Sequence, residues 1–460
     1  MAIWFALAMV PSVLLLAMTN QVCLDVASVP FLWILPLTLY LLSFILCFDS
    51  ERWYNRRLFA AGMVVLLAGV SLAMVNGSAM SIVLQVVIYF AAFFFAAMFC
   101  HGELARLKPH PQHLTSFYLV MSAGGAAGGL FVGMLAPLVF PFYWELHLGI
   151  LAAYGLLMVV FWRDTSIVST PAHLPGVQLL LLGGLFWIGS LLGYQVIDAF
   201  SESVTVSRNF YGVLRIRERD VGNADKHRMT MVHGRILHGM QFVDQERRHL
   251  PTTYYGLDSG IGRVMRSHHA ARPRRVGLGV GTLATYGKTG DMVRYYEIDP
   301  EVIHLAKLHF SFLSDSQADV NITLGDARLS LEREPPQRFD VLALDAFSSD
   351  AIPSHLLTRE VFAIYLRHLQ SDGIIAVHIS NRHFNLKPVL AGIAESFRLR
   401  ACSIYTDADA SAGTDRTEWV LLARKKSVLN DDTFANGKRS LGKRKLLWTD
   451  ERSNLLDVFD

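Results

Sequence analysis

The sequence predicts two dissimilar parts: a multi-pass bundle of membrane-crossing α-helices, then an α/β Rossmann-like domain introduced by a β-hairpin region. Three observations predict this. Long apolar runs fill the first 197 or so residues, and nearly all the Lys, Arg, Asp and Glu lie beyond Asp198. After Pro273, short apolar strands alternate with helical stretches. That rhythm belongs to a parallel sheet covered on both faces.

Seven segments of the first part are long enough to cross a bilayer or nearly so, near 2–19, 30–48, 58–75, 80–100, 114–140, 142–162 and 177–197; a crossing helix needs about 18 or more apolar residues. The start, MAIWFALAMVPSVLLLAM, lacks a basic leader region and a small-residue cleavage site, so it reads as a retained segment. The fifth segment carries AGGAAGGLFVG, in which Gly124/Gly128, Gly125/Gly129 and Gly129/Gly133 offer small residues for close helix packing or dimerisation. The polar stretch TNQVCLD joins the first two segments, as a solvated loop or a lined cavity. His101, His110 and His113 match no common metal-ligand spacing.

Arg52, Arg56 and Arg57, then Arg106 and Lys108, then Arg163 occupy alternate loops, with no Lys or Arg in the loops between. The positive-inside rule puts those alternate loops in the cytoplasm. Seven full crossings would then turn the hydrophilic part outward, whereas a nucleotide co-substrate is made inside. The expectation adopted is a cell-membrane protein with its hydrophilic part in the cytoplasm.

Of the 460 residues 52% are hydrophobic, and the net charge is +3. That charge is too small, and basic stripes too absent, to argue for nucleic acid. Four cysteines, only Cys402 beyond the apolar part, form no disulfide framework.

From Ser203 the pattern alternates with period two. VTVSRNFYGVLRIRERD and KHRMTMVHGRILHGMQF read as antiparallel hairpins. Beyond Pro273, RRVGLGVG, VRYYEID, VNITLGD, FDVLALDAF and GIIAVHIS read as five buried strands, with helices such as 301–310 and 359–368 between some of them. The expected divisions are thus 1–199 (helical), 200–272 (hairpins), 273–427 (nucleoside-binding) and 428–460 (a basic tail).

Ligands of such sheets bind beyond the carboxyl ends of the strands. Gly277, Gly279 and Gly281 follow the first strand, Glu297 and Asp299 end the second, Asp326 follows the third, and Asp345 ends the fourth. Glycine lets the backbone turn tightly against a ligand, and an acid about 20 positions on can accept both ribose hydroxyls, as Glu297 would. Thr282 breaks the dinucleotide G-x-G-x-x-G fingerprint, and no P-loop is present. The remaining G-x-G-x-G, E-x-D and G-D-A are the pattern of S-adenosylmethionine-type folds.

YYEIDP, ITLGDARLSL and FDVLALDAFSSDAIPSHLLTREVFAIYLRHLQSDGIIAVHISN resemble the spermidine synthase (aminopropyltransferase) family, especially its membrane-fused bacterial members. The resemblance covers roughly 205–425, and the apolar segment VPSVLLLAMTNQVCLDVASVPFLWILPLTLYLLSF is similar to the helical part of those fused proteins. It implies transfer of an aminopropyl group from decarboxylated S-adenosylmethionine to putrescine or a related polyamine, without metal. Gly277, Gly279 and Gly281 would cradle the nucleoside, Glu297 would hold its ribose, and Asp326 with Ala327 would meet its adenine. Gln241 would border the nucleoside, and Tyr254 or Tyr255 would lie beside the amine. Asp345 would stand where the family's catalytic Asp stands, and Asp350 would replace the second Asp of the family's D-S-S-D-P loop.

Asp345 can take the amine's proton or hold the amine in line with the carbon under attack. Tyr254, Tyr255 and Phe347 could add cation–π stabilisation. His233 and His238 could be bases, but in a hairpin they read more readily as surface or satisfied histidines; His378 ends the fifth strand, where lining the site is the lesser of its two readings. Two departures bear on the donor. Val280 occupies the place where soluble members carry an Asp that binds the aminopropyl amine, and Phe347 is inserted into the acidic loop, displacing its proline to Pro353. The rivals are a methyltransferase that uses intact S-adenosylmethionine on a small or lipid-like amine, and a non-enzymatic transporter or sensor of nucleoside or polyamine.

Overall fold

The computed structural model describes the whole chain except 27–30, 77–79, 164–173, 202, 235, 268–272, 346–352, 382–383, 431 and 459–460. It divides into two units, Met1–Glu202 with Arg208–Val213, and Ser203–Ser207 with Leu214–Asp460.

Among the described residues, seven helices of the first unit are long and apolar enough to cross a membrane: Ala2–Cys23, Leu32–Asp49, Arg56–Asn76, Ile82–Arg106, Pro111–Val139, Trp144–Arg163 and Leu179–Asp198. The polar TNQVCLD is not an open loop where it is described. Gln21–Val26 continues the first helix as a π-helical turn, with Thr19, Gln21 and Cys23 buried. Buried charge in this unit is paired: Glu103 accepts from the Tyr54 hydroxyl and from Arg56 Nε, both at 2.7 Å.

The glycine-rich helix uses only one of its small faces for this packing. A Cβ on Gly124 would stand 2.4 Å from Phe5 O, and one on Gly128 2.6 Å from Met9 O, whereas Gly125, Gly129 and Gly133 have nothing within 4 Å. Gly128→Ala is therefore expected to destabilise this unit by about 1–3 kcal/mol, the usual cost of forcing extra volume into a packed contact. Gly129→Ala should leave stability unchanged; thermal unfolding of the two variants in detergent distinguishes them.

Beyond the helices comes a four-stranded sheet in the order β1 (Ser203–Asn209), β2 (Gly212–Arg219), β3 (Arg228–His233) and β4 (Ile236–Phe242). The main sheet contains β5 (Pro273–Val276), β8 (Phe339–Leu344), β9 (Leu369–His378), β10 (Arg400–Thr406), β11 (Thr417–Ala423) and β12 (Lys438–Arg439), ordered β12-β10-β11-β9-β8-β5. β5, β8 and β9 are parallel. β6 (Met292–Glu297) and β7 (Asp319–Leu324) form a parallel pair joined to the end of β5 by Gly277 N–H donating to Tyr296 O at 3.2 Å.

The apolar runs of β8 and β9 are buried on both faces. Val341, Ala343, Ile374 and Ala376 face the helix Gly260–Arg266, through Ile261 and Val264. Leu342, Leu344, Ile375 and Val377 face Arg359–His368 and Lys387–Ser396, through Phe362 and Ile393. Burial on both faces is why these strands read as continuous hydrophobic runs. β10 and β11 extend the sheet antiparallel beyond the five strands expected. The basic segment after 427 packs down instead of trailing in solvent, because Phe434, Trp448 and Val458 are buried in the two cores.

Candidate active site

The site lies at the carboxyl ends of β5, β6, β7, β8 and β9, where helix N-termini and loop amides converge. Gly277, Gly279 and Gly281 have φ of 87°, 53° and 85°, a left-handed backbone that side chains rarely adopt. Gly279 also meets β4 closely, since a Cβ there would stand 2.7 Å from His238 O and 4.0 Å from the Tyr255 hydroxyl. Glu297 reaches back across this loop and accepts from Leu278 N–H at 3.3 Å and Asp299 N–H at 3.0 Å. Burial pushes its carboxyl above the usual range.

The remaining acids at these strand ends serve as helix caps as well. Asp299 caps Pro300–His309 by accepting from Glu301 N–H at 2.9 Å. Asp326 caps Ala327–Arg333 by accepting from Leu329 N–H at 2.8 Å, with His355 Nε2 at 3.4 Å. Ala327 is the buried first residue of that helix. The Gln241 amide is spent on the protein: it donates to Ser311 Oγ (2.8 Å) and Arg248 O (3.0 Å) and accepts from Ser311 N–H (2.9 Å). It therefore ties the end of β4 to the segment that follows Pro300–His309.

Asp345 sits directly after β8 and is 8% exposed. Its Oδ2 accepts from the Tyr255 hydroxyl, and its Oδ1 lies 2.8 Å from His378 Nδ1, at the end of β9. The His378 ring is stacked between Tyr254 (centroids 4.4 Å apart, 21° between planes) and Trp419 (4.8 Å, 22°). Trp419 is brought there by the register of β11 against β9, in which it opposes His378, and its indole N–H donates to Tyr254 O at 3.1 Å. The Tyr286 hydroxyl donates to Tyr255 O at 2.6 Å, fixing the neighbouring tyrosine. Burial, reinforced by the Asp345 charge, pushes the Tyr254 and Tyr255 phenols well up, so both stay protonated donors.

His238 belongs to this neighbourhood too. It feels the Asp345 charge, and its ring lies 5.4 Å from that of His233. Burial, with His233 adding to it, pulls His238 from 6.5 down to about 4. Between those values the unfolded chain binds a proton that the folded chain refuses, so stability must fall as pH drops through that window. His238→Asn should flatten this decline in a series of melting curves between pH 4 and pH 7. An unchanged slope would count against a neutral imidazole at 238.

Val280 does not face this chamber. It is fully buried, packs with Leu214, Ile216 and Met231 of the hairpin sheet, and lies where a Cβ on Gly239 would meet its Cγ2 at 2.2 Å. Asp350 and Phe347 fall outside the described residues. Among the described residues no three His, Cys, Asp or Glu side chains stand together to hold a metal ion. Trp419 and Tyr286 belong to no motif that marks them as site residues. The apolar run WVLLA does signal a buried strand, but not the pairing that sets its tryptophan over His378.

No family model matches the chain. A probable polyamine aminopropyl transferase of Bifidobacterium longum is 27% identical over 159 residues, which cover 33% of this chain and 33% of that one. A polyamine aminopropyltransferase of Vibrio vulnificus is 36% identical over 84 residues, 18% of this chain and 27% of that one. The chain thus spans a third or less of the length of these curated relatives. A probable spermidine synthase of Corynebacterium glutamicum aligns structurally with a TM-score of 0.37 at 21% identity, covering 48% of this chain and 79% of that one. Over these stretches the chain is similar in sequence to polyamine aminopropyltransferases.

Proposed function

We propose that this protein is a polyamine aminopropyltransferase that moves an aminopropyl group from decarboxylated S-adenosylmethionine to putrescine or a related diamine. The observation that carries the reading is the buried Asp345 carboxylate, held by Tyr255 and His378 beside the glycine loop. A carboxylate in an aromatic, water-poor recess suits an amine that must be held in line with the carbon it attacks, and such positioning lowers the barrier by up to several kcal/mol. Tyr254, which is partly exposed, supplies a π face for a cationic group. The sulfonium donor is itself a good leaving group, so the chemistry asks for alignment and proton removal. In this reading Glu297 exchanges its hold on Leu278 and Asp299 for the ribose hydroxyls, while Asp326 and Ala327 meet the adenine.

A second reading, methyl transfer from intact S-adenosylmethionine, is favoured by Val280: the acid expected to bind the donor's amine is replaced by a buried valine. Incubating the purified full chain with each donor and a panel of amines, read by mass spectrometry, decides. Aminopropylated product supports the first reading, and methylated product alone replaces it with the second. No product from either donor, with nucleoside still bound, points to a transporter or sensor.

Glu297→Gln is expected to weaken binding of 5′-methylthioadenosine by about 1.5–3 kcal/mol, the range for a hydrogen bond to a charged group. Unchanged affinity by calorimetry would count against the ribose assignment.

The seven apolar helices are read as a membrane anchor in the cell membrane, with the second unit in the cytoplasm. In support, large apolar side chains such as Ile45, Val65, Val83, Leu138 and Phe186 face outward from the helices, each more than 60% exposed; lipid would cover such surface. Protease accessibility of the second unit in oriented vesicles tests the sidedness.

A further inference from the structure

We infer that His378, with Asp345 as its orienting carboxylate, is the general base that takes the proton from the attacking amine. The inference rests on the aminopropyl-transfer reading of the site, and it moves the base from Asp345 to the imidazole.

The geometry carries it. Both Asp345 oxygens already have donors, Oδ2 from the Tyr255 hydroxyl and Oδ1 from His378 Nδ1. A proton from the amine would have to compete with these two donors for the carboxylate oxygens. The same contact works the other way on His378. With Nδ1–H committed to a carboxylate, the neutral ring must carry its lone pair on Nε2, the nitrogen that can take a proton. Stacking between Tyr254 and Trp419 at 21° and 22° closes both ring faces and holds the ring in one plane. The ring edge is what the stacking leaves uncovered, and Nε2 on that edge is buried within the recess.

The step balances as follows. The amine nitrogen forms a bond to the propyl carbon next to sulfur while that C–S bond breaks. The bonding pair stays on sulfur, leaving the neutral thioether 5′-methylthioadenosine. The proton lost by the amine passes to His378 Nε2 and returns to solvent when product leaves. The titratable groups against His378 are Asp345 after β8 and Tyr254 before the helix Gly260–Arg266; around them stand Tyr255 and His238, which feel the Asp345 charge, His233 beside His238, and Asp415, which acts on Tyr254. Trp419 faces it without titrating.

His378→Gln keeps a donor toward Asp345 but cannot accept the amine's proton. It is expected to lower kcat about 10²–10⁴-fold with little change in KM for the amine, and to remove the acid-side limb of the kcat/KM profile. Imidazole added to His378→Ala should restore part of the rate. A His378→Gln enzyme with wild-type rate and pH profile would overturn the inference. Failure of the aminopropyl reading shows separately: if wild type only methylates, the same variants are read with that product. If wild type turns over neither donor, nitrogen NMR of the histidine-labelled full chain, with His378 identified by its loss in the Gln variant, decides instead. A neutral ring protonated at Nδ1 that shifts in Asp345→Asn supports the couple; one protonated at Nε2 overturns it.

Discussion

Replacing Asp345 by Asn is expected to lower kcat about 10³–10⁴-fold while leaving affinity for 5′-methylthioadenosine within a few-fold of wild type. The amide keeps the volume and can still accept from one neighbour, so the recess should survive. What disappears is the negative charge that fixes the His378 ring by its Nδ1–H and stabilises the positive charge developing beside it; removing such a carboxylate from a catalytic histidine costs about 10⁴ where it has been measured in another enzyme. Single-turnover assays with saturating donor, paired with calorimetry on the product nucleoside, separate the two quantities. A variant that keeps a tenth of the wild-type rate would show that Asp345 is a structural hydrogen-bond acceptor for Tyr255 and little else. Equal loss of nucleoside binding would place its role in building the pocket.

The second large effect is expected at Val280. Val280→Asp puts the acid of the soluble aminopropyltransferases back into the glycine loop, and the resemblance alone would predict a tighter grip on decarboxylated S-adenosylmethionine. The structure predicts the opposite. The side chain at 280 points into the hairpin core among Leu214, Ile216 and Met231, against Gly239. A carboxylate there would be buried without a cation. The expected cost is about 3–5 kcal/mol, the range for an uncompensated buried charge, seen as a fall in melting temperature of the second unit at neutral pH and partly relieved on acidification, when the acid can protonate. If Val280→Asp melts like wild type and binds the decarboxylated donor more tightly, the loop turns its 280 side chain toward the ligand in the bound state, and the donor's amine has a place to go.

These two positions also mark how far the amino-acid sequence reaches on its own. Asp345 is legible in it because an acid at the end of a buried strand, following FDVLAL, must emerge at the carboxyl edge of a parallel sheet. Gly277, Gly279, Gly281 and Glu297 are legible for the same reason, and the structure places Glu297 across the glycine loop. Val280 is legible only as a departure from a pattern. One residue's direction inside a tight turn depends on φ at its glycine neighbours, 53° and 85°, and no spacing rule supplies those values. Gln241 reads as a residue near the nucleoside, but its amide is occupied by Ser311 and Arg248, partners 70 and 7 residues away that periodicity cannot pair.

The sequence by itself determined the division into seven apolar helices, a hairpin sheet and a parallel sheet with its acids at the strand ends. Those features follow from local periodicity and from the length of uninterrupted hydrophobic runs, and both are properties of a linear chain. Only the tertiary structure decided what surrounds Asp345. His378 comes to it from the neighbouring strand, Tyr255 from the loop before a helix, and Trp419 from an antiparallel strand added at the edge. These contacts join residues tens of positions apart, and strand register and packing set them. The chemistry of the carboxylate depends on which donors reach it, and the fold places an imidazole 2.8 Å away.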